Sequence, residues 1–187
     1  MEKVASPLRR DAAANRERLI TAALDVFNSD GLDAGVEQIA QRAGVGVGTL
    51  YRRFPTKEAL IDYLVEELLD GMTERAETAR SIPGGHGLEH YVRDLADKLS
   101  AYRGCLSRMW GEDNGRDHTE LRRRISVLLR EAKSAGVMRA EVTRDDITTV
   151  VWSLRGIIES AGEDSASTCQ RHLDYVFAGM RTDPASR

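Results

Sequence analysis

The stretch Val36–Lys57, VEQIAQRAGVGVGTLYRRFPTK, constrains the fold of this chain more than any other part of it. Apolar residues at helical spacing predict a first helix, and they are Val36, Ile39, Ala40 and Ala43. Gly44 follows, where a helix-ending residue with positive φ is expected. A second short helix is predicted over Val47–Phe54, because Pro55 disfavours helical backbone in the residue before it. A helix, a glycine-bearing turn and a short cationic helix are the layout of a helix-turn-helix, whose second helix enters the major groove of DNA.

The order of residues here resembles the DNA-binding segment of the TetR/AcrR family of bacterial transcriptional regulators. The resemblance rests on IAQRAGVGVGTLYRRFPTKEAL, extends upstream through LITAALDVFNSDGLDAG and covers about the first third of the chain. It implies a helix-turn-helix DNA-binding domain over residues 1–57 and an effector-binding and dimerisation domain over 58–187. The sequence departs from the family pattern at Gly35 and Gly46, where Ser or Thr commonly caps a helix and contacts phosphate.

Composition predicts the same all-α fold, with about nine helices. Aromatic residues are 5% of the 187, only four prolines occur, and no run of alternating β-branched residues predicts a strand. Residues 1–57 carry a net charge of +2 and the remainder −5. This difference suits a basic DNA-binding end joined to a body that does not bind DNA, although uneven charge by chance remains an alternative.

The remaining helices are predicted from apolar periodicity and from residues that start or stop helices. The expected bounds are Asp11–Ser29 after an N-terminal arm (1–10), Thr56–Ala79, Leu88–Tyr102, Cys105–Trp110, a helix capped by Asp117, and two helices that begin near Thr143 and Ser165. Thr143 and Asp146 are spaced as a capping box. Gly162 is expected to end the penultimate helix.

Eight residues are predicted to contact DNA: Gln38, Arg42, Val47, Gly48, Thr49, Tyr51, Arg52 and Lys57. The resemblance implies that Tyr51 and Lys57 hold phosphate, whereas Thr49 and Arg52 are expected at base edges. For the neighbouring Arg53, a merely solvated position is an open alternative. Because one short helix contacts few base pairs, we expect a symmetric dimer on a palindromic operator.

The last two helices predict an antiparallel hairpin, and the resemblance implies that such hairpins pair into a four-helix dimer interface. The predicted interface positions are Val151, Leu154, Ile158, Leu173, Val176, Phe177 and Met180. The alternative is that these apolar stripes face the core of the monomer, and a division of roles between the two is also open.

The resemblance also implies a small-molecule pocket in the body. Aromatic and methionine side chains there suit an apolar or aromatic effector, and Arg155 could orient a polar end. The predicted pocket residues are Tyr102, Met109, Trp110, Trp152 and Arg155. Ordinary core packing is the alternative for each aromatic residue.

No residue pattern predicts catalysis, a metal site or a cofactor. Cys105 and Cys169 match no metal spacing and are expected as buried thiols. His86 and His90 are four residues apart, but a glycine-rich linker holds one of them. No apolar run has the length of a membrane span, and the N-terminus lacks a signal-peptide core, so a cytoplasmic protein is expected.

The sequence therefore predicts a ligand-responsive, dimeric transcriptional repressor. A transcriptional activator of the same fold and an architectural DNA-binding protein are the alternatives. A helical-bundle enzyme is disfavoured, because no catalytic constellation is present.

Overall fold

The computed structural model of the chain describes residues 7–109 and 119–183. Within these ranges it contains nine α-helices and no strand, which confirms the predicted all-α fold. The helices are α1 (Pro7–Asp30), α2 (Val36–Ala43), α3 (Val47–Arg53), α4 (Lys57–Ala79), α5 (Gly87–Ala101), α6 (Leu106–Met109), α7 (Thr119–Ser134), α8 (Arg144–Ala161) and α9 (Ser165–Met180).

The start of α1 differs from the sequence prediction. The helix begins at Pro7 rather than Asp11, so residues 7–10 are helical and do not belong to an extended arm. Proline is compatible with this position, because the first turn of a helix needs no N–H donor and proline's φ is already helical. Residues 1–6 of the expected arm, and the expected cap Asp117, lie outside the described residues.

The described residues form two compact units. One contains residues 7–66 and 104–109, and the other contains 67–103 and 119–183. The chain thus passes between the units within the continuous helix α4, and it returns to the first unit for the short helix α6. The functional domains expected over residues 1–57 and 58–187, with the helix 56–79 linking them, stay predictions.

The first unit encloses a core of large apolar side chains from α1 to α4. Phe27, Ile39, Leu50, Leu60 and Leu64 are almost fully buried. Segment 104–109 is attached to the end of α1 by a hydrogen bond from the Gly104 N–H to Asn28 Oδ1, 2.8 Å long. A Cβ on Gly104 would lie 2.2 Å from the carbonyl oxygen of Phe27. Glycine is therefore required for this close approach of two backbones.

The second unit includes the antiparallel pair α8 and α9. Thr143 and Asp146 form the predicted capping box, in which each side chain accepts the backbone N–H of the other. Gly162 has φ +56° and ends α8 as predicted. Between the two helices, Ser153 Oγ lies 3.1 Å from His172 Nε2. These local signals place a helical hairpin where the sequence predicts one.

A charged network joins α5 to α9 in the second unit. The Arg93 guanidinium donates to Glu89 Oε1 and to Gln170 Oε1, and it pairs with Asp174 at 2.8 Å. Arg181 donates to the same Glu89 carboxylate. Burial of the Glu89 carboxyl raises its pKa, but hydrogen bonds from Arg181 and Arg93 outweigh that effect, so the pKa lies below its usual 4.5.

Candidate nucleic-acid interface

The turn between α2 and α3 has the geometry that a helix-turn-helix needs. Gly44 adopts a left-handed conformation with φ +68° and ψ +34°. Its N–H donates to Gln41 O at 3.1 Å, and the next N–H, of Val45, donates to Ala40 O at 3.0 Å. This pair of bonds is the Schellman motif, which ends a helix and turns the chain within one residue. Gly46 then begins α3 in extended conformation.

Helix α3 is amphipathic along its seven residues. Leu50 is fully buried, whereas Gly48, Tyr51, Arg52 and Arg53 are exposed. Tyr51, with 44% of its surface accessible, is one of three large apolar or aromatic residues that the described ranges leave exposed. An exposed aromatic hydroxyl beside two arginines on a short helix can donate hydrogen bonds to phosphate and to base edges.

Pro55 and the residues around it end α3 and orient the next helix. Phe54, which the sequence prediction included in the helix, is extended with φ −127° and ψ 101°, because helical backbone is disfavoured in the residue before proline. Its buried ring packs against Tyr63 of α4 with 5.3 Å between ring centroids. Thr56 Oγ1 accepts the Ala59 N–H at 3.0 Å and so caps α4. The length and direction of α3 are thereby fixed at its C-terminal end.

Two predicted DNA contacts, Gln38 and Arg42, lie four residues apart on the exposed face of α2. Arg42 Nε donates to Asp25 Oδ2 of α1 at 3.0 Å, and both side chains are about half exposed. Exposed pairs of this kind contribute little to stability, about 0–1 kcal/mol. Arg42 can therefore leave Asp25 for a phosphate at small cost.

Lys57 has a structural contact that the sequence did not reveal. Its ammonium Nζ donates to the carbonyl oxygen of Ala34 at 3.2 Å and ties the start of α4 to the segment before α2. The side chain is half-buried. An ammonium has three donors, so the contact with Ala34 leaves two for a phosphate.

The N-termini of α2 and α3 carry no side-chain caps. Gly35 and Gly46 are the N-cap residues of the two helices, and neither supplies a side-chain hydrogen bond. Backbone N–H groups at such ends attract anions through the helix dipole. Phosphate binding at these two helix starts can therefore depend only on backbone amides.

The predicted ligand-pocket residues that the structure describes have different surroundings, each within its own unit. Tyr102 is buried in the second unit, Met109 is buried in the first, and Trp110 lies outside the described residues. Trp152 is 54% exposed on α8, so it does not line the interior of its unit. Arg155 Nε donates to Glu159 on the same helix at 2.7 Å. The spacing of apolar residues alone did not show which face of α8 is buried and which is exposed.

The seven predicted dimer positions divide into two groups. Leu154, Ile158, Leu173 and Phe177 are almost fully buried within their own unit, so for them the alternative of monomer core holds. Val151, Val176 and Met180 are partly exposed. The surface of the hairpin instead presents Trp152 and Tyr175, the latter 74% exposed.

The cysteines and the potential metal ligands among the described residues do not form a second candidate site. Burial raises the pKa of the Cys105 thiol to about 12, which disfavours the nucleophilic thiolate, and burial also raises that of Cys169. His118, the histidine nearest to Cys105 in the sequence, lies outside the described ranges. Within those ranges, no three His, Cys, Asp or Glu residues are placed to hold a metal ion, and no helix is long and apolar enough to span a membrane.

Comparison with known proteins gives matches over both parts of the chain. Residues 19–64 match the profile described as "Bacterial regulatory proteins, tetR family", and residues 83–182 match "Transcriptional regulator SbtR-like, C-terminal domain". An HTH-type transcriptional regulator of Staphylococcus aureus (strain USA300) is 38% identical over 64 residues, which are 34% of this chain and 35% of that protein. The chain thus matches about a third of the length of this curated relative.

Two crystal structures are similar over nearly the whole chain. A TetR transcriptional regulator from Streptomyces coelicolor has a TM-score of 0.66 and 29% identity, over 89% of this chain and 98% of that one. A TetR transcription regulatory protein from Mycobacterium vanbaalenii has a TM-score of 0.62 and 30% identity, over 94% and 100% of the two chains.

Proposed function

The chain belongs to the TetR family of bacterial regulatory proteins, and from that premise we propose that it represses transcription as a homodimer on a palindromic operator. A small apolar or aromatic effector releases the protein from DNA. Its site of action is the cytoplasm, where its DNA target lies.

The exposed face of α3 is the observation that carries the proposal. A left-handed glycine turn positions the helix, Leu50 anchors its inner face, and Tyr51 and Arg52 project from the outer face. Arginine can bind guanine O6 and N7 with two hydrogen bonds, and tyrosine can donate to phosphate. Lys57 and Arg42 flank α3 as further phosphate contacts.

A gel shift on the DNA upstream of the protein's own gene tests DNA binding. We expect a sequence-specific shift that Arg52→Ala weakens about tenfold or more, since a bidentate contact with a base is worth about 1–3 kcal/mol. Arg130→Ala removes the same charge from an exposed position on α7 and is the matched control. A wild-type protein that shifts specific and unrelated DNA equally refutes the proposal.

For dimerisation, the outer face of the α8–α9 hairpin is the supported surface. Trp152 and Gly156 are four residues apart on α8, and Tyr175 and Gly179 are four apart on α9, so each aromatic ring has an exposed glycine one turn away. A Cβ built on either glycine would meet nothing within 4 Å in the monomer. Aromatic rings beside shallow glycine positions suit a self-complementary, two-fold interface with a second copy.

Sedimentation equilibrium tests this interface. Trp152→Glu places a charge on the proposed contact and is expected to shift the protein towards monomer and to weaken operator binding. Ala140→Glu adds the same charge at an exposed position between α7 and α8 and should leave the dimer intact. Equal dimer affinity for the two variants would show that the copies meet elsewhere.

The effector proposal rests on the interior of the second unit. Tyr91 is 1% exposed, and its hydroxyl has no hydrogen-bond partner among the described residues. Burial raises the pKa of this hydroxyl, which keeps it as a neutral donor. A buried donor without a partner is rare in proteins, and a bound ligand with an acceptor group would satisfy it.

Thermal shift against a panel of aromatic acids, alcohols and hydrocarbons tests the effector proposal. A ligand that stabilises the protein should also weaken its gel shift and raise transcription from the operator in vitro. A tenfold loss of DNA affinity requires only about 1.4 kcal/mol of coupling. Binding compounds that leave both readouts unchanged would contradict effector control, while a fall in transcription would indicate an activator.

A further inference from the structure

Two polar residues on the outer face of α3 are joined by a hydrogen bond. Arg52 Nη2 donates to Thr49 Oγ1 at 2.8 Å, one helical turn back. Arg52 is exposed and Thr49 is half-buried. Threonine is β-branched, so its Oγ1 occupies few rotamers and is a well-defined acceptor. The guanidinium is therefore held along the helix surface.

This bond leaves most of the guanidinium available. Arginine has five N–H donors in a fixed plane, and Thr49 takes one of them. Guanine presents O6 and N7 to the major groove, and two donors of one guanidinium match this pair. A long side chain that is already held in place loses less conformational freedom on binding. Arg52 would then favour one guanine over other bases, beyond a general attraction to phosphate.

We propose that Thr49 is a positioning residue, which sets the specificity of Arg52 for a guanine in each half-site. Thr49 itself contacts no base edge in this arrangement, which is a narrower role than the sequence analysis assigned to it. The inference rests on the proposed DNA-binding function. Arg53, adjacent and exposed, supplies a matched positive charge for comparison.

The test begins with selection of binding sites from a randomised duplex library by the full-length protein. Wild type, Thr49→Val, Thr49→Ser and Arg53→Ala are compared. Valine keeps the shape and the β-branch of threonine but removes the acceptor, whereas serine keeps the acceptor. Circular dichroism melting verifies that every variant is folded.

Binding is then measured on the selected site with each half-site guanine replaced in turn by 7-deazaguanine, which lacks N7. At one position we expect wild type and Thr49→Ser to lose about tenfold in affinity, which corresponds to the lower part of the range for a bidentate pair. Thr49→Val should lose less than about threefold there. Arg53→Ala should weaken binding to every duplex alike and keep the discrimination of wild type.

Three results overturn the inference while leaving the proposed function intact. In the first, Thr49→Val loses as much affinity as wild type when guanine is replaced by 7-deazaguanine. In the second, the selected site contains no half-site guanine. In the third, Thr49→Val changes the base preference at a different position, which would make Thr49 a direct base contact. A wild-type protein that enriches no sequence would instead refute the proposed DNA-binding function itself.

Discussion

Replacing Gly104 with alanine should destabilise the first unit strongly, because the new methyl group has no space. A Cβ at this position lies 2.2 Å from Phe27 O, 2.4 Å from Phe27 C and 2.8 Å from Asn28 N. These are backbone atoms of α1, which cannot rotate away as a flexible side chain could. Segment 104–109 must therefore move outward or α1 must deform.

The expected cost combines two contributions. Forcing an extra methyl into a packed contact costs about 1–3 kcal/mol. Outward movement also breaks the 2.8 Å hydrogen bond from the Gly104 N–H to Asn28 Oδ1, and such a bond contributes about 0.5–1.5 kcal/mol net. We expect Gly104→Ala to lower the free energy of unfolding by roughly 2–4 kcal/mol. Asn28→Ala should lower it by at least the hydrogen-bond contribution.

Urea unfolding followed by circular dichroism measures the effect, and hydrogen exchange locates it. Amides at the end of α1 and in 104–109 should lose protection first in Gly104→Ala. Gly71→Ala is the matched control in α4, where the new Cβ makes only an ordinary contact of 3.9 Å with Arg75 Nε. It should stabilise the helix by up to about 1 kcal/mol. A Gly104→Ala variant within 0.5 kcal/mol of wild type would refute this reasoning.

Three further substitutions give distinct expected outcomes. Tyr91→Phe removes a buried hydroxyl without a partner among the described residues, so urea unfolding should show a stability unchanged or up to about 1 kcal/mol higher; a clear loss would reveal a hidden partner. The Glu89 pKa is lowered in the folded state, so its contribution to stability is complete above its usual pKa of 4.5 and is lost as pH falls through the lowered value. The free energy of unfolding should therefore fall less for Glu89→Gln than for wild type between about pH 5 and 3. An equal fall in the two proteins, measured by urea unfolding at several pH values, would contradict this role of Glu89. At Gly46, where an added Cβ meets nothing within 4 Å, serine can accept the Thr49 N–H; Gly46→Ser should raise the melting temperature slightly and tighten operator binding, whereas Gly46→Ala should not tighten it.

Local signals in the sequence were sufficient for much of the fold. The glycine at the end of α2, the proline after α3 and the capping box at Thr143 act within a few residues, and the structure places helix boundaries where they predict. The start of α1 was missed because Pro7 suits both an arm and a first helical turn. Local propensity alone does not decide between these two possibilities.

The contacts that the sequence could not predict are those between distant segments. The hydrogen bond from Gly104 to Asn28 joins residues 76 positions apart, and no periodicity indicates it. For α8 and α9, periodicity identified apolar stripes but not which members face inward. Trp152, a predicted pocket residue, is 54% exposed, and for Leu154, a predicted interface position, the alternative of monomer core holds.

The first unit is assembled from two separated pieces of sequence, and this sets the order in which it can form during synthesis. Residues 7–66 leave the ribosome before the second unit, and 37 residues of that unit follow before Gly104 emerges. Leu106 and Met109, both buried members of the first unit, are added only then. The first unit is thus completed late, by a contact between distant segments that slows folding. A fragment cut after residue 66 would contain the whole helix-turn-helix and still lack part of its core.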